Sequence, residues 1–446
     1  MKLKIFVLTL FTFQIATLTA QQTWTLDTCI NYALENNLNI IKQDLTVDLL
    51  RNNYDISRYN RLPSVNGNLS AGQSFGKTFS QDKLGFVDER IGYVNADISA
   101  NVALFDGFRN TKSIEKSLKE QEAATHDKER YANDIALQIV NYYLQILYNG
   151  EQAKAAQNQL QTTQIQIERT EELMKAGSVP KGDVLELKAQ SAGEKAQIIR
   201  YKNLEKEARI NLRQMMDLRT DTIIIAKPKT IEAKGLYAKL PAISNIYNIA
   251  IQHLPEIKAI KARMEASNTA IDLAKADYYP SLYLGGSVST RYNEAAVNPE
   301  DPLGTYKFGE QTQDFVQANV GLTLSIPIFN KFRTKYNVDN ALIDYEITKV
   351  EESITLQNIY KKIESARNDA RAAYENFRAA ETELDASEEA FAYAEERFNA
   401  GVINSTEYNL AKNTLAQSNI NLLNAKFELI FKVKILDFYM GNDFNL

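Results

Sequence analysis

The side chains that usually carry chemistry are scarce in this chain of 446 residues. It has one cysteine, Cys29, and two histidines, His126 and His253. A single thiol cannot form an internal disulfide or a cysteine-based zinc site. The histidines lie far apart, and each reads as a surface or packing residue. No glycine-rich phosphate loop, nucleophile elbow or histidine metal motif is present. The chain is therefore read as not an enzyme, with no cofactor and no metal. Lys and Arg total 51 against 56 Asp and Glu, a net charge of −5. That balance is poorly suited to binding phosphates, so no nucleic-acid partner is expected. The remaining chemistry belongs to polar residues at every second position. Asn95, Asp97 and Asn101 are interleaved with Val94, Ala96, Ile98, Ala100 and Val102. Arg291 alternates with Val288 and Tyr292, and Gln317 and Asn319 alternate with Ala318, Val320 and Leu322. Such residues suit the lining of a water-filled lumen whose other face is apolar.

Period-two alternation requires strands. Four are expected, near 64–75, 93–105, 282–292 and 315–326. About 9 to 12 residues with one apolar and one polar face match a transmembrane β-barrel; a half-buried soluble sheet is the alternative. Export favours the barrel. Met1-Lys2-Leu3-Lys4 precedes an apolar run and small residues ending at Ala20, which reads as a signal peptide over 1–20. Cleavage there removes Lys2 and Lys4 and makes the mature chain more acidic. Cys29 lies beyond that point and reads as a core residue of the first helix. No later segment offers 18 uncharged apolar residues, so no helical span is expected. Four strands cannot close a barrel, since the smallest need about eight. Two copies would supply eight strands, filled by side chains, and three would supply twelve, with room for a passage. A pore favours three. The turns near Gly76–Gly92 and Asn293–Asp314 read as long polar surface loops.

The chain repeats itself. Ala33, Ile40, Pro63 and Ser64 match Ala250, Ile257, Pro280 and Ser281 at an offset of 217. Asn95, Phe105, Phe108, Arg109, Ala176 and Gly177 match Asn319, Phe329, Phe332, Arg333, Ala400 and Gly401 at 224. Seven extra residues thus enter the second copy between Ser281 and Asn319. The mature chain, 21–446, reads as one protomer of two repeats, about 24–225 and 241–440. Each repeat reads as helix, strand, loop, strand, helix, turn, helix. First helices are expected over Thr25–Arg61 and Ala242–Tyr279, stopped by Pro63 and Pro280, with Thr25 or Asp27 as a cap. Long helices are expected over Arg109–Ala176 and Arg333–Ala400, each roughly 100 Å long, ended by Gly177 and Gly401. Shorter ones follow near Val184–Asp217 and Thr406–Phe438. Charges along the long helices suit a water-exposed bundle of coiled-coil character. Trp24 and Tyr292 are candidates for a membrane interface, with packing the ordinary role of a lone Trp.

Val102-Ala103-Leu104-Phe105-Asp106-Gly107-Phe108-Arg109 and Ser325-Ile326-Pro327-Ile328-Phe329-Asn330-Lys331-Phe332-Arg333 resemble the strand-to-helix junctions of TolC-family outer-membrane efflux proteins. Ala33-Leu34-Glu35-Asn36-Asn37 and the helix ends at Gly177 and Gly401 resemble that family too. The resemblance covers nearly all of the mature chain. It implies a mainly α fold with a membrane β-barrel portion: long antiparallel helices forming an α-helical barrel, and four strands per subunit in a shared 12-stranded trimeric barrel. It implies a homotrimer in the outer membrane of a Gram-negative bacterium, in contact with its lipid, with a tunnel in the periplasm. The implied partners are a periplasmic adaptor (membrane fusion protein) and an inner-membrane transporter. The implied function is the passive exit duct of a tripartite efflux or type I secretion system. A periplasmic coiled-coil adaptor or scaffold without a pore is the alternative. The resemblance also places a periplasmic gate at the tip. An acidic residue six positions after each tip glycine falls here on Asp183 and Glu407. The further acid often found in the second repeat is Leu410 here, while the first repeat has Glu186. One acidic ring from Glu407 is expected. The competing role of Glu407 is that of a first-turn acid favoured by the helix dipole.

Overall fold

The computed structural model describes residues 23–80, 85–220, 223–227, 241–298 and 306–442. The signal peptide expected over 1–20 lies outside the described residues, as do Pro299 and Asp301-Pro302 of the second polar connection. In chain order the elements are β1 (Thr23–Trp24), α1 (Leu26–Asn36), α2 (Leu38–Tyr59), β2 (Ser64–Ser80), β3 (Gly85–Phe105), α3 (Arg109–Lys175) and α4 (Lys181–Met215). Then come β4 (Ile224–Ile225), α5 (Ile243–His253), α6 (Pro255–Lys275), β5 (Ser281–Asn293), α7 (Phe308–Asp314), β6 (Gln317–Ser325), α8 (Arg333–Asn399) and α9 (Ser405–Tyr439). Helix bounds 109 and 333, 175 and 399, 181 and 405, and 215 and 439 each differ by 224. That is the spacing at which residue types recur in the sequence.

The first helix of each copy is broken, where one continuous helix was expected. Asn37 has an extended backbone and joins α1 to α2. Its side chain accepts from the N–H of Asn39 (2.9 Å) and donates to the Met215 carbonyl (2.7 Å). One buried amide thereby caps α2 and ties it to the end of α4. The counterpart at offset 217 is Leu254, also extended, followed by Pro255 as the first residue of α6. Proline is tolerated there because the N–H it lacks would have no helical partner. Two different chemistries produce the same break. Thr25 supplies the cap of α1, accepting from the Thr28 N–H at 3.2 Å.

The contacts divide the chain into two units. One comprises 131–252, the residues up to 41 and those from 359 on. Its core joins Leu26, Cys29, Ile30 and Ala33 of α1 to Ile135, Ile139, Val140 and Tyr143 of α3 and to Leu212 and Met216. The Tyr143 hydroxyl donates to the Ala226 carbonyl at 2.6 Å and pins the two-stranded parallel sheet of β1 and β4. Trp24 is packed into this core, edge-on to Tyr32, so its role is packing. A second cluster joins Ala373, Phe377 and Ala380 of α8 to Ala425, Leu429 and Val433 of α9. Each fully buried Leu, Ile, Val, Met or Phe of these clusters contributes about 1.5–3 kcal/mol, and each alanine less.

The other unit comprises 42–130 and 253–358. It contains one antiparallel four-stranded sheet, in the order β2-β3-β5-β6. Ion pairs run in antiparallel order between α3 and α6 with the turn after it: Arg109 with Asp277 of that turn, Lys112 with Asp272 (3.3 Å), Lys119 with Glu265 (2.9 Å) and Asp127 with Arg263. They are solvent-accessible, so each is worth at most about 1 kcal/mol, and together they fix register.

The hairpin of β2 and β3 is longer than expected. The strands continue through most of the supposed Gly76–Gly92 loop, pairing Lys77 with Asp88 and Phe79 with Phe86. Leu104, the expected last member of the apolar series, falls at a bulge between Ala103 and Phe105. β6 is shorter than expected, and Val316 and Ile326 lie just outside it. The Asn293–Asp314 connection contains α7 rather than loop alone.

Candidate functional site

The ladder register decides which side chains share a face, because directly paired residues in an antiparallel sheet point the same way. Asn95 pairs with Ser70 and Arg291. Asp97 pairs with Asn68 and Ser289, and Ser289 pairs with Gln317. Asn101 pairs with Ser64 and Gly285, and Asn319 pairs with Ser287. All six residues expected to line a lumen therefore stand on one face, spread over β3, β5 and β6, and β2 adds Ser64, Asn68 and Ser70 to it. Asn68 donates to Asp97 at 3.1 Å, and the Arg291 guanidinium lies 5.2 Å from the centre of the Phe315 ring. Phe315 falls inside the strand expected over 315–326 but was not singled out; it lies just before β6, where its ring meets Arg291.

The opposite face carries Val65, Leu69, Val94, Ile98, Val288, Val320, Leu322 and Leu324. Leu69, Ile98, Val320 and Leu322 are 77, 61, 83 and 65% exposed. An apolar face of this continuity is unstable against water and requires another medium or partner.

Each passage from sheet to long helix uses two successive left-handed residues. Gly107 and Phe108 have φ of 67° and 68°, and Lys331 and Phe332 have 57° and 61°. A side chain at Gly107 would meet the Ala276 carbonyl oxygen at 2.7 Å. Phe105 packs edge-on against Phe108, and Phe329 does the same against Phe332. These ring pairs offset part of the 1–3 kcal/mol that a left-handed non-glycine residue costs.

The second candidate region is the pair of helix turns that hold the expected gate. At the first, Gly177 has φ 76° and its N–H donates to Met174, while the Ser178 N–H donates to Leu173. At the second, Gly401 has φ 70°, with bonds from Gly401 to Phe398 and from Val402 to Arg397. Both are Schellman ends, which need a residue tolerant of left-handed backbone. Asp183 and Glu407 each occupy the third helical position, and Glu186 is exposed one turn beyond Asp183. Asn404 accepts from the Glu407 N–H at 2.9 Å. The backbone is thus capped by Asn404, and the Glu407 carboxylate is exposed. Glu407 and Leu410 line one groove of about 540 Å³ with Ala390, Ala394, Arg397 and Ile403. Leu410, one turn beyond Glu407, is 68% exposed.

Two features of this region escaped sequence reasoning. Tyr408 is buried and stacks on Phe398, with ring centres 4.7 Å apart, locking α8 to α9. Burial raises its phenol above the ordinary range. Lys412 is only 3% exposed. It donates to the Thr163 hydroxyl at 2.9 Å, which donates to Glu194 at 2.8 Å. Burial lowers the Lys412 ammonium below the usual lysine range, opposed by the charge of Glu194. The signal for Lys412 was its position one turn after Tyr408, as the one lysine in the first half of α9.

Among the described residues no group of His, Cys, Asp and Glu could hold a metal ion, and no helix is long and apolar enough to cross a membrane. Cys29 is fully buried, and burial pushes its thiol up to about 12. His126 Nδ1 donates to the Glu129 carboxylate within one helix turn at 2.9 Å.

Comparison with known proteins gives a consistent picture. The family model described as outer membrane efflux protein matches residues 29–217 and 246–442. Toxin and drug export protein A of Aggregatibacter actinomycetemcomitans is 22% identical over 416 residues, covering 91% of this chain and 83% of its own. The solved structure of CusC superposes with a TM-score of 0.78 at 18% identity, covering 94% of this chain and 92% of that one. The open MtrE outer membrane channel of Neisseria gonorrhoeae superposes with a TM-score of 0.74 at 20% identity, covering 94% and 89%.

Proposed function

The chain belongs to the outer membrane efflux protein family, and from that premise we propose that three copies assemble one outer-membrane channel, the exit duct of an efflux or type I secretion system. The observation that carries this reading is the four-stranded sheet. Its apolar face is exposed, its polar face is continuous, and among the described residues β2 and β6 each have one edge without a strand partner. An unpaired edge inside a bilayer leaves backbone groups without hydrogen bonds, so the sheet must close. Three copies give twelve strands, and the polar face becomes a hydrated lumen. A coiled-coil adaptor has no use for such a sheet.

The helices joined to those edges support the same arrangement. α2 leads into β2 and presents Leu45, Leu49, Ile56 and Tyr59 as an exposed stripe. α8 follows β6 and presents Tyr336, Ile343, Ile347, Val350 and Ile354. Both stripes have the three-and-four spacing of a helix seam. In a head-to-tail ring the β6–α8 side of one copy meets the β2–α2 side of the next, which is a heterologous interface that closes. The helical tunnel then stands in the periplasm. Its tip, with Glu407 and Leu410 as the constriction, docks on an inner-membrane transporter through an adaptor. The duct is passive, and the transporter supplies the energy.

The decisive measurement is the mass of the protein extracted from outer membranes in mild detergent, with the detergent mass subtracted. A trimer is expected. A stable monomer would leave the sheet edges open and overturn the shared barrel.

A further inference from the structure

We propose that α7 and the Tyr292–Phe308 ring pair form a membrane-surface anchor resting on the headgroup layer of the outer leaflet, on the lipid side of the sheet. This rests on reading the apolar face as lipid-facing. The β6 pairing with β5 ends at Ser289, opposite Gln317, so Thr290 to Asn293 have no β6 partner. The loop fills that place. Gln311 is fully buried; its side-chain oxygen accepts from the Asn293 N–H (2.9 Å) and its amide donates to the Asn293 carbonyl (3.0 Å). One side chain thus does for the strand edge what a neighbouring strand would do. The same amide group donates to the Tyr306 carbonyl at 2.8 Å, and the Thr290 hydroxyl donates to the Thr312 carbonyl at 2.7 Å. α7 is therefore fixed against β5.

The register shows on which side it is fixed. Thr290 pairs with Ala96 and Tyr292 with Val94, so both stand on the apolar face with Val288, Ile98 and Leu322. The Phe308 ring lies 5.1 Å from that of Tyr292 and is 53% exposed. On the polar side, Arg291 and Tyr306 hold Phe315, where the chain returns to β6. From Leu282 to Tyr292 is ten residue steps, about 34 Å along the strand. At a tilt near 45° that is about 25 Å across the membrane, the height of an apolar band at whose rim aromatic residues gather. Half-exposed aromatic rings at that level suit a headgroup layer, where an apolar ring is shielded while polar neighbours stay wet. The first repeat joins β2 to β3 across residues 81–84 and has no equivalent helix among the described residues. The seven residues of α7 fall in the connection where the second copy is seven residues longer.

The test uses the full-length protein in phosphatidylcholine–phosphatidylglycerol vesicles. Phe308→Cys, Glu310→Cys, Asn319→Cys and Leu322→Cys are each spin-labelled; native Cys29 is buried and stays unlabelled. Accessibility is read against oxygen, which concentrates in lipid, and a water-soluble nickel chelate. The oxygen-to-nickel ratio at 308 is expected to be several-fold above those at 310 and 319, and below that at 322. A ratio at 308 equal to that at 319, with 322 still oxygen-rich, overturns the anchor and places α7 in water or over the lumen. Equal ratios at 322 and 319 sink the lipid-facing reading itself and the anchor with it. Phe308→Trp keeps an aromatic ring should the cysteine loosen α7. Lipids brominated near the headgroup should quench it, and quenching by aqueous iodide alone overturns the anchor.

Discussion

At Glu407 a structural and a functional role can be separated. Asn404 already satisfies the backbone N–H that a capping acid would serve. The helix dipole still favours an anion there, by about 0.3–1 kcal/mol at an exposed site. Glu407→Gln should therefore leave folding almost unchanged and reduce the cation preference of the isolated channel, measured by reversal potential across a salt gradient. Unchanged selectivity would return Glu407 to the dipole role alone. Like charges from three copies would repel at the mouth and attract cations. At Cys29 the prediction concerns access. A thiol pushed up to about 12 and fully buried is neither ionised nor reachable near neutral pH. It should resist thiol reagents in the native protein and react on unfolding. Rapid native reaction would contradict the core packing of α1.

The elements differ in how much of them the residues announce. Period two marks the strands, because each strand has one wet and one dry face. The sharpest test is directional. Leu322→Lys or Ile98→Lys should impair membrane assembly by about 2–4 kcal/mol at mid-depth, while Asn319→Lys should be tolerated. Yield of assembled protein in outer membranes reads both, and equal losses on the two faces would overturn the facing assignment. The long helices were legible from their lack of internal proline and from Gly177 and Gly401. The breaks at Asn37 and Leu254 were not. Asn37 is one asparagine among many, and only the Met215 carbonyl from α4 makes it a cap with a tertiary partner. Pro255 was a visible signal, but proline at the first turn of a helix and proline between helices look alike in sequence.

For the whole molecule the claim is closure. Among the described residues, one chain has a sheet with two edges that no strand pairs and, on the helices next to them, two exposed apolar stripes. Leu49→Glu and Ile347→Glu lie on opposite sides of the proposed contact. Each should lower the trimer fraction in detergent, because each places a charge in a seam that assembly desolvates. The pair together should do no better than either alone. A full trimer in both single variants would mean that these stripes face something else.

The sequence by itself determined the features that repeat or alternate: duplicated halves, strand faces, the span of the long helices and the glycine-ended turns. Those follow from local rules, in which φ preference and periodicity act within a few residues. All six polar residues expected on one face do share it, because strand parity leaves only two choices. The tertiary structure decided everything that depends on who meets whom. Register joined Asn95 to Arg291 and Asp97 to Ser289. Packing buried Lys412 beside Thr163 and turned Gln311 from a loop residue into the cap of a strand edge. The same residue types elsewhere in the chain are solvated. Only the partner brought from far along the sequence separates a buried lysine or an edge-capping glutamine from an ordinary surface one.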